Sequence, residues 1–237
     1  MPSVIVVTVD AAIAAGKTTL IARIQNRLSW LVIVVDEPVE RWKESGLLAE
    51  MYRAIANPGD NPDGMPGMFQ IYAFSTRIGQ FAPRYREATL LSKEMGRPVV
   101  LLCERSIYSD RNIFKEMLVE TGHITELQAR VYDGCFEAWS LAAEKTMPDL
   151  AVWIDTIVDD CMIRQKERAR EGENFDVGYA TALDKKHKDV FGKGRAFGRV
   201  PVLRIDGSTP FNKDDVALQE IIDAIDYSIA DAMLKND

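Results

Sequence analysis

The sequence predicts an α/β fold built on a parallel, doubly wound sheet. Five short runs rich in β-branched residues recur along the chain, separated by longer stretches with helical character. Within each run the apolar residues are continuous rather than alternating, which is typical of strands covered by helices on both faces. The resulting βαβα order favours a doubly wound sheet. We expect five strands, at residues 4–9, 31–35, 99–103, 150–154 and 200–205.

Helices are expected between and after these strands. Pro83 lies within the second, where we expect a kink because proline removes one intrahelical donor. Residues 57–67 contain three prolines, three glycines and two aspartates, so this segment is predicted to be a surface loop. The predicted helices cover residues 18–28, 68–95, 108–120, 125–145, 158–170, 177–191 and 214–234.

Length and composition indicate one ordinary globular domain. We expect residues 1–237 to form a single domain with an appended lid, since 47% hydrophobic and 27% charged residues suffice for a large core.

A net charge of −7 argues against nucleic-acid binding, which needs a broad cationic surface. The three cysteines show no metal-binding spacing and favour a reducing compartment. With neither a leader nor a membrane-spanning run recognisable, we expect a cytoplasmic protein without membrane contact.

A phosphate-binding loop follows the first strand. Residues 10–19 read DAAIAAGKTT and lead directly into a helix, the context in which a GxxxxGK[ST] motif presents backbone N–H groups to phosphates. In this motif Lys17 would neutralise phosphate oxygens and Thr18 would ligate Mg²⁺. The motif between a strand and a helix predicts that the sheet is of the P-loop NTPase type. We expect the following residues to bind the nucleotide: Ala14, Ala15, Gly16, Lys17, Thr18 and Thr19. Ala11 replaces the first glycine of the motif, which would cost about 1–2 kcal/mol if that position needs a positive φ.

Charged residues follow two other strands. In doubly wound folds ligands lie beyond the carboxyl ends of strands, which makes Glu37, Glu104 and Arg105 candidates for phosphoryl transfer. Glu37 could remove a hydroxyl proton, Glu104 could hold Mg²⁺, and Arg105 could orient the acceptor. The alternative is that Glu104 and Arg105 merely cap the next helix.

Arginines near residues 164–175 suggest a lid. Arg164 and Arg168 are four residues apart on one helical face, with Arg170 close behind, and such a surface could close over a polyphosphate. The alternative is a solvated helix in which Glu167 and Glu171 pair with these arginines. His123 and His187 follow no ligand spacing, and we expect each at the surface or at a helix end.

Five segments together resemble the deoxynucleoside kinases of the deoxycytidine, deoxyguanosine and deoxyadenosine kinase type. They are AIAAGKTT at 12–19, DEPVERW at 36–42, MFQIYAFSTR at 68–77, CERSIYSDRNIF at 103–114 and RQKERAREGE at 164–173. The resemblance covers most of the chain and implies ATP, or another NTP, as donor with Mg²⁺. It also implies that Glu37 is the general base for a 5′-hydroxyl, that Arg105 stabilises the transferred charge, and that Glu104 is the metal-associated carboxylate. A homodimer is implied as well.

The resemblance extends to the acceptor. It implies that Gln70 reads the base edge, and that Tyr52 and Glu173 hold the 3′-hydroxyl. Arg77 and Asp110, with a small residue at Ala73, go with cytosine and purine bases in this family, because a buried charged pair crowds a 5-methyl group. Deoxyadenosine, deoxyguanosine or deoxycytidine is therefore expected over thymidine. Further residues implied to line this pocket are Trp42, Met51, Phe69 and Phe114.

Two alternatives to a nucleoside kinase remain open on the sequence. A nucleoside monophosphate kinase would share the fold, although its phosphorylated acceptor needs extra cations and no strong base. A non-catalytic nucleotide-binding regulator is the other alternative, for which Ala11 is the best indication.

Overall fold

The computed structural model describes residues 3–59, 61, 63–143, 145–170 and 172–236. Each of the five predicted strands is present, with bounds that differ by at most two residues at either end. In addition, a two-residue strand that the sequence did not reveal lies before the last one. The strands are β1 (Val4–Ala11), β2 (Leu31–Val35), β3 (Val99–Glu104), β4 (Leu150–Asp155), β5 (Arg195–Ala196) and β6 (Val200–Asp206).

The sheet has the strand order β2-β3-β1-β4-β6-β5. All pairings are parallel except that of β5 with β6, which is antiparallel. Strand β1 is central, with Val9 opposite Glu104 of β3 and Val152 of β4. The predicted five-stranded parallel sheet is therefore confirmed, extended by a short sixth strand. The carboxyl ends of β1, β2 and β3 meet at one edge, which is where ligands bind in this architecture.

Ten α-helices and one π-helical segment, Asp110–Lys115, occupy the described ranges. The predicted helix 108–120 is divided by that π-helical segment, and two helices between β2 and the long α4 were not predicted. Helix α4 continues past Pro83, and the kink there stays a prediction. The α-helices are α1 (Lys17–Ile24), α2 (Val39–Glu44), α3 (Leu47–Ala56), α4 (Met65–Met95), α5 (Ile107–Ser109), α6 (Glu116–Glu120), α7 (Glu126–Ala142), α8 (Val158–Arg168), α9 (Val177–Phe191) and α10 (Asp215–Asn236).

Helices cover both faces of the sheet. Val7 and Val9 of β1 pack in one hydrophobic cluster with Leu20 of α1 and Ile222 of α10. Val4 and Val6 of the same strand belong to a second cluster on the other face. Alternate residues of one strand thus enter different cores, which accounts for the continuous apolar runs in the sequence.

Some predicted segments include residues outside the described ranges. The loop predicted at 57–67 contains residues 60 and 62, and the helix predicted at 125–145 contains residue 144; these three are not described. The loop is shorter than predicted, since α4 begins at Met65. Among the helices that are described, none combines the length and the apolar character needed to cross a bilayer.

Candidate functional site

The phosphate loop lies between β1 and α1. Ala11 is the last residue of β1, fully buried and paired with Ile154, and it does not have a positive φ. Ala11 therefore does not suffer the backbone strain that an alanine at a positive φ would have. Left-handed backbone occurs instead at Ala14, with φ 63°, and at Gly16, with φ 104°. A β-carbon added at Gly16 would lie at a tight 3.2 Å from the ring of Phe211, and the positive φ is a conformation that favours glycine whatever the space.

Lys17 begins α1 and is buried beneath the loop. Its ammonium donates to the Ala12 carbonyl at 3.3 Å and lies 4.0 Å from the Glu104 carboxylate. Burial, followed by the charge of Arg105, lowers the pKa of Lys17 to about 8. A bound phosphate would place negative charge beside this ammonium and so raise the pKa of Lys17 again.

Thr18 and Glu104 lie together where β3 and α1 meet. The Thr18 hydroxyl is 3.0 Å and 3.2 Å from the two oxygens of Glu104. Burial and the neighbouring Glu37 raise the pKa of Glu104, which a nearby cation would lower again. Within the described residues no group of three or more metal-ligating side chains occurs. One carboxylate and one hydroxyl fit Mg²⁺, which usually keeps waters and takes its other ligands from substrate phosphates.

Glu37 follows β2 and lies between two arginines. Its carboxylate is 2.9 Å from Nη2 of Arg77 and 3.2 Å from Nε of Arg105. Burial alone would raise the pKa of Glu37, but the charges of Arg105 and Arg77 outweigh burial and lower it to about 2. Glu37 is therefore ionised at neutral pH and able to accept a hydrogen bond or a proton.

Arg77 of α4 is the centre of a buried hydrogen-bond network. It donates to both oxygens of Asp110, at 2.8 Å and 3.0 Å, and to the Glu104 carbonyl at 2.8 Å. Asp110 and Glu37 keep Arg77 charged despite its burial, by raising its pKa. Asp110 begins the π-helical segment, a distortion that is frequent at functional sites.

Two cavities meet at Glu37 and Arg105, which line both. The larger, about 590 Å³, is a cleft over the phosphate loop and is also lined by Lys17, Thr18 and Glu104. The smaller, about 60 Å³, extends from Glu37 towards α3, α4 and the π-helical segment. Bound ligands usually need 300–1,000 Å³, so the smaller cavity must widen to admit a nucleoside.

The residues predicted to bind the acceptor line this smaller cavity. The Trp42 indole donates to Thr76 at 2.8 Å and packs edge-on against Phe69. The side-chain nitrogen of buried Gln70 lies 3.8 Å from the sulfur of Met51, a weak acceptor, which leaves it suited to a better partner. The complete predicted set that lines the cavity is Trp42, Met51, Tyr52, Phe69, Gln70, Ala73, Arg77, Asp110, Phe114 and Glu173.

The predicted lid arginines all face the larger cleft. Arg164 lies 3.4 Å from the carbonyl oxygens of Ala15 and Gly207, while Arg168 and Arg170 pair with Glu173. Among the described residues, the carboxylates that pair with these arginines are Asp160, with Arg164 at 3.9 Å, and Glu173. Glu167 is not among them, and Glu171 lies outside the described residues.

One predicted donor residue does not reach the cleft. The side chain of Ala15 is fully buried in the core, and its N–H is directed at the Ala12 carbonyl at 3.4 Å. By contrast, Ala14, Gly16, Lys17, Thr18 and Thr19 line the cleft. The position of Ala15 reflects the tight turn of the loop, which directs this side chain back toward α1 and β1.

The prediction for His187 was wrong. It is 1% exposed, within α9, and its Nε2 lies 3.4 Å from Nη1 of Arg105. Its neighbourhood depends on how α9 packs against the end of β3, 82 positions away, so no local pattern could have revealed it. His123 is partly exposed just after α6, and its Nδ1 lies 2.8 Å from the Thr121 hydroxyl, in line with the prediction.

Sequence reasoning also missed a loop and a buried carboxyl. The loop after β6 contributes Gly207, Thr209, Phe211 and Asn212 to the cleft, and its position beyond a strand end was the available signal. Asp10 in β1 is fully buried and accepts a hydrogen bond from Ser109 at 2.5 Å, which fixes the turn after Arg105.

Comparison with known proteins agrees with this geometry. Residues 7–230 match the family model described as deoxynucleoside kinase. The chain belongs to the deoxynucleoside kinase family. It is therefore a kinase that phosphorylates a nucleoside at the expense of a nucleotide phosphate donor, as part of nucleotide salvage.

Three relatives show the breadth of this family. A probable deoxycytidine kinase of fowlpox virus (strain NVSL) is 29% identical over 92% of this chain and 87% of its own length. Human mitochondrial thymidine kinase 2 is 32% identical over 85% of this chain and 70% of its own. Deoxyadenosine/deoxycytidine kinase of Bacillus subtilis (strain 168) is 23% identical over 99% and 98%. The names of these three relatives thus specify nucleosides with different bases.

Proposed function

We propose that this kinase transfers the γ-phosphoryl group of ATP, or another NTP, to the 5′-hydroxyl of a deoxyribonucleoside, with deoxyadenosine, deoxyguanosine or deoxycytidine preferred over thymidine. The observation that carries the proposal is that Glu37 and Arg105 line both the cleft over the phosphate loop and the acceptor cavity. A base and a cation at the junction of two cavities are what transfer between two bound substrates requires.

The acceptor hydroxyl would approach Glu37. As the bond forms between the 5′-oxygen and the γ-phosphorus, the bond to the β,γ-bridging oxygen breaks, and ADP leaves with that electron pair. The hydroxyl proton passes to Glu37. Because arginines stabilise the carboxylate, Glu37 is a weak base, which suits a loose transition state in which positioning and charge matter most.

The donor phosphates would be held by the loop and the lid. The helix N-terminus at Lys17, together with its ammonium, faces the cleft and favours anions. Thr18 and Glu104 would hold Mg²⁺, which when bound neutralises phosphate charge. Arg164, with Arg168 and Arg170, would add cationic contacts from the lid, which we assign to residues 164–175.

Base preference would follow from the network around Arg77. Arg77 and Asp110 are buried side by side and present charged donors and acceptors to the cavity. Ala73 leaves room for the base beside Gln70, whose amide can form paired hydrogen bonds with a base edge. A 5-methyl group would meet a desolvated ion pair, which disfavours thymidine.

The carboxylate at the junction also bears on the nucleoside monophosphate kinase alternative. A phosphorylated acceptor would bring negative charge beside Glu37, and the repulsion would weaken its binding. An unphosphorylated sugar hydroxyl carries no such penalty. The geometry therefore favours a nucleoside over a nucleoside monophosphate as acceptor.

Further proposals concern organisation. We propose that residues 1–237 act as one kinase domain and form a homodimer in the cytoplasm. The dimer proposal is supported by Leu127, Val131 and Leu141, which lie exposed on one face of α7. The cytoplasmic location rests on sequence alone, and one relative is named as mitochondrial.

A nucleoside panel tests the proposal. The purified full chain is incubated with Mg²⁺ and ATP and with each of the four deoxynucleosides in turn, and ADP release is followed. We expect nucleoside-dependent release, with thymidine giving the lowest kcat/KM. Release with none of the four would refute the proposal. Faster reaction with a deoxynucleoside monophosphate would support the monophosphate kinase alternative instead.

A further inference from the structure

We propose that His187 is a positioning residue, which holds the Arg105 guanidinium beside the reacting groups by accepting its hydrogen bond on Nε2 of a neutral imidazole. This inference rests on the proposed role of Arg105. His187 does not line either substrate cavity, so it would act only through that arginine. Helix α9 already contributes Tyr179 to the lining of the smaller cavity, and the proposal adds His187 as a second residue of this helix that serves the site.

The guanidinium of Arg105 is held from three directions. Its Nε forms an ion pair with Glu37 at 3.2 Å, its Nη1 is 3.4 Å from Nε2 of His187, and its Cζ lies 4.7 Å from the centre of the Phe114 ring. Of the three nitrogens, neither Nε nor Nη2 has a hydrogen-bond partner among the described residues, so both can still donate to a ligand. Arg105 also has a left-handed backbone, with φ 65°, a strained conformation of the kind found at functional sites.

The contacts of His187 favour one tautomer. Its Nδ1 is 2.8 Å from the Leu183 carbonyl, and the Ala11 carbonyl is a further backbone partner of the ring. A carbonyl can only accept, and the contact of Nδ1 has normal hydrogen-bond length, so we place the single proton of the neutral ring on Nδ1. The lone pair therefore lies on Nε2 and faces Arg105. Burial, followed by the charge of Arg105, lowers the pKa of His187 to about 3, so the ring stays neutral.

A neutral acceptor suits this position better than a charged one. A carboxylate there would neutralise Arg105 and compete with Glu37 for it, while a cation would repel it. A neutral ring restrains the guanidinium and leaves its charge available for the transferred phosphoryl group. Phe114 and Phe191 flank the imidazole at centroid distances of 6.2 Å, which restricts its movement.

Two substitutions of similar polarity separate positioning from packing. In His187→Gln an amide oxygen can take the place of Nε2, whereas His187→Asn reaches only as far as Nδ1. We expect His187→Asn to lower kcat for the nucleoside about tenfold, the value of a hydrogen bond to a charged group. His187→Gln should stay within about threefold of the parent, and the KM for ATP should change less than about twofold in either variant. His123→Asn is the matched control and should behave as the parent protein.

A double-mutant cycle shows whether the effect runs through Arg105. In an Arg105→Lys background, His187→Asn should cost less than about twofold in kcat. Equal losses in both backgrounds, or equal losses for His187→Asn and His187→Gln, would overturn the inference. Full activity of Arg105→Lys alone would instead refute the proposed role of Arg105. Impaired Arg105→Lys beside fully active His187→Asn would refute only the role of His187.

A measurement on the unsubstituted protein keeps the test independent of how the variants fold. Nitrogen NMR of protein labelled in histidine should show, at pH 7, one buried imidazole with its proton on Nδ1 and none on Nε2. The signal with an unprotonated Nε2 should shift on adding nucleoside with a non-hydrolysable ATP analogue. A proton on Nε2 of His187 would overturn the inference, because that nitrogen could not accept from Arg105.

Discussion

Replacing Arg77 with methionine tests the buried network that links the acceptor cavity to Glu37. The substitution keeps most of the aliphatic volume but removes hydrogen bonds to Asp110, Glu37 and the Glu104 carbonyl. The Asp110 side chain is 4% exposed, so it would be left as a buried carboxylate without its cation. Of its ion-pair partners among the described residues, Glu37 would keep Arg105.

The expected cost follows from these contacts. Breaking a buried ion pair by removing one partner costs about 3–5 kcal/mol, because the other charge stays desolvated. For a chain of this size that loss lowers the melting temperature by about 6–20 °C. Adding Asp110→Asn should recover part of the loss, because it removes the stranded charge.

Thermal and denaturant unfolding followed by circular dichroism measure this effect. Arg84→Met is the matched control, since Arg84 lies on the same helix and forms an ion pair with Glu87 at 2.8 Å that is about half exposed. Exposed pairs contribute about 0–1 kcal/mol, so the control should unfold almost as the parent does. If Arg77→Met were as stable as Arg84→Met, the reasoning about the buried network would be refuted.

Other consequences concern pH, the phosphate loop and the metal. The pKa of Glu37 in the folded protein is about 2, below its ordinary 4.5, so the stability that ionised Glu37 contributes is complete above pH 4.5 and is lost towards pH 2. The difference in unfolding free energy between the parent and Glu37→Gln should therefore shrink as the pH falls from 4.5 to 2. A difference that stays constant over this range would contradict the expectation. Gly16→Ala should weaken ATP binding about 5–30-fold by calorimetry, from about 1–2 kcal/mol of strain, whereas Gly79→Ala in an open helical position should not. Thr18→Val should raise the Mg²⁺ concentration for half-maximal activity about tenfold or more, and an unchanged requirement would exclude Thr18 as a ligand.

The sheet was predictable because its physical cause is local. A parallel strand buried on both faces must be apolar throughout, and the run at 99–103 shows this directly. Helix α2 has only six residues and buries Trp42 alone, too little for a helical period to be visible. Strand β5 has two residues and depends on its pairing with Val200 and Pro201. Elements without a periodic pattern of their own were therefore missed.

The candidate site was predictable where residues directly follow strands. Glu37, Glu104 and Arg105 could be found because parallel strands end at one edge of the sheet. The same rule, extended to uncharged residues, would have found the loop at Phe211. His187 was out of reach, since its contact with Arg105 comes from tertiary packing and not from spacing.

Turnover and ATP binding by Glu37→Gln test the central claim most directly. The glutamine keeps the shape of the side chain but cannot take a proton, so we expect turnover to fall about 10²-fold or more. ATP affinity by calorimetry should stay within about twofold, and Glu44→Gln, at the exposed end of α2, should match the parent in both. Undiminished turnover by Glu37→Gln would contradict the claim that this carboxylate activates the acceptor hydroxyl.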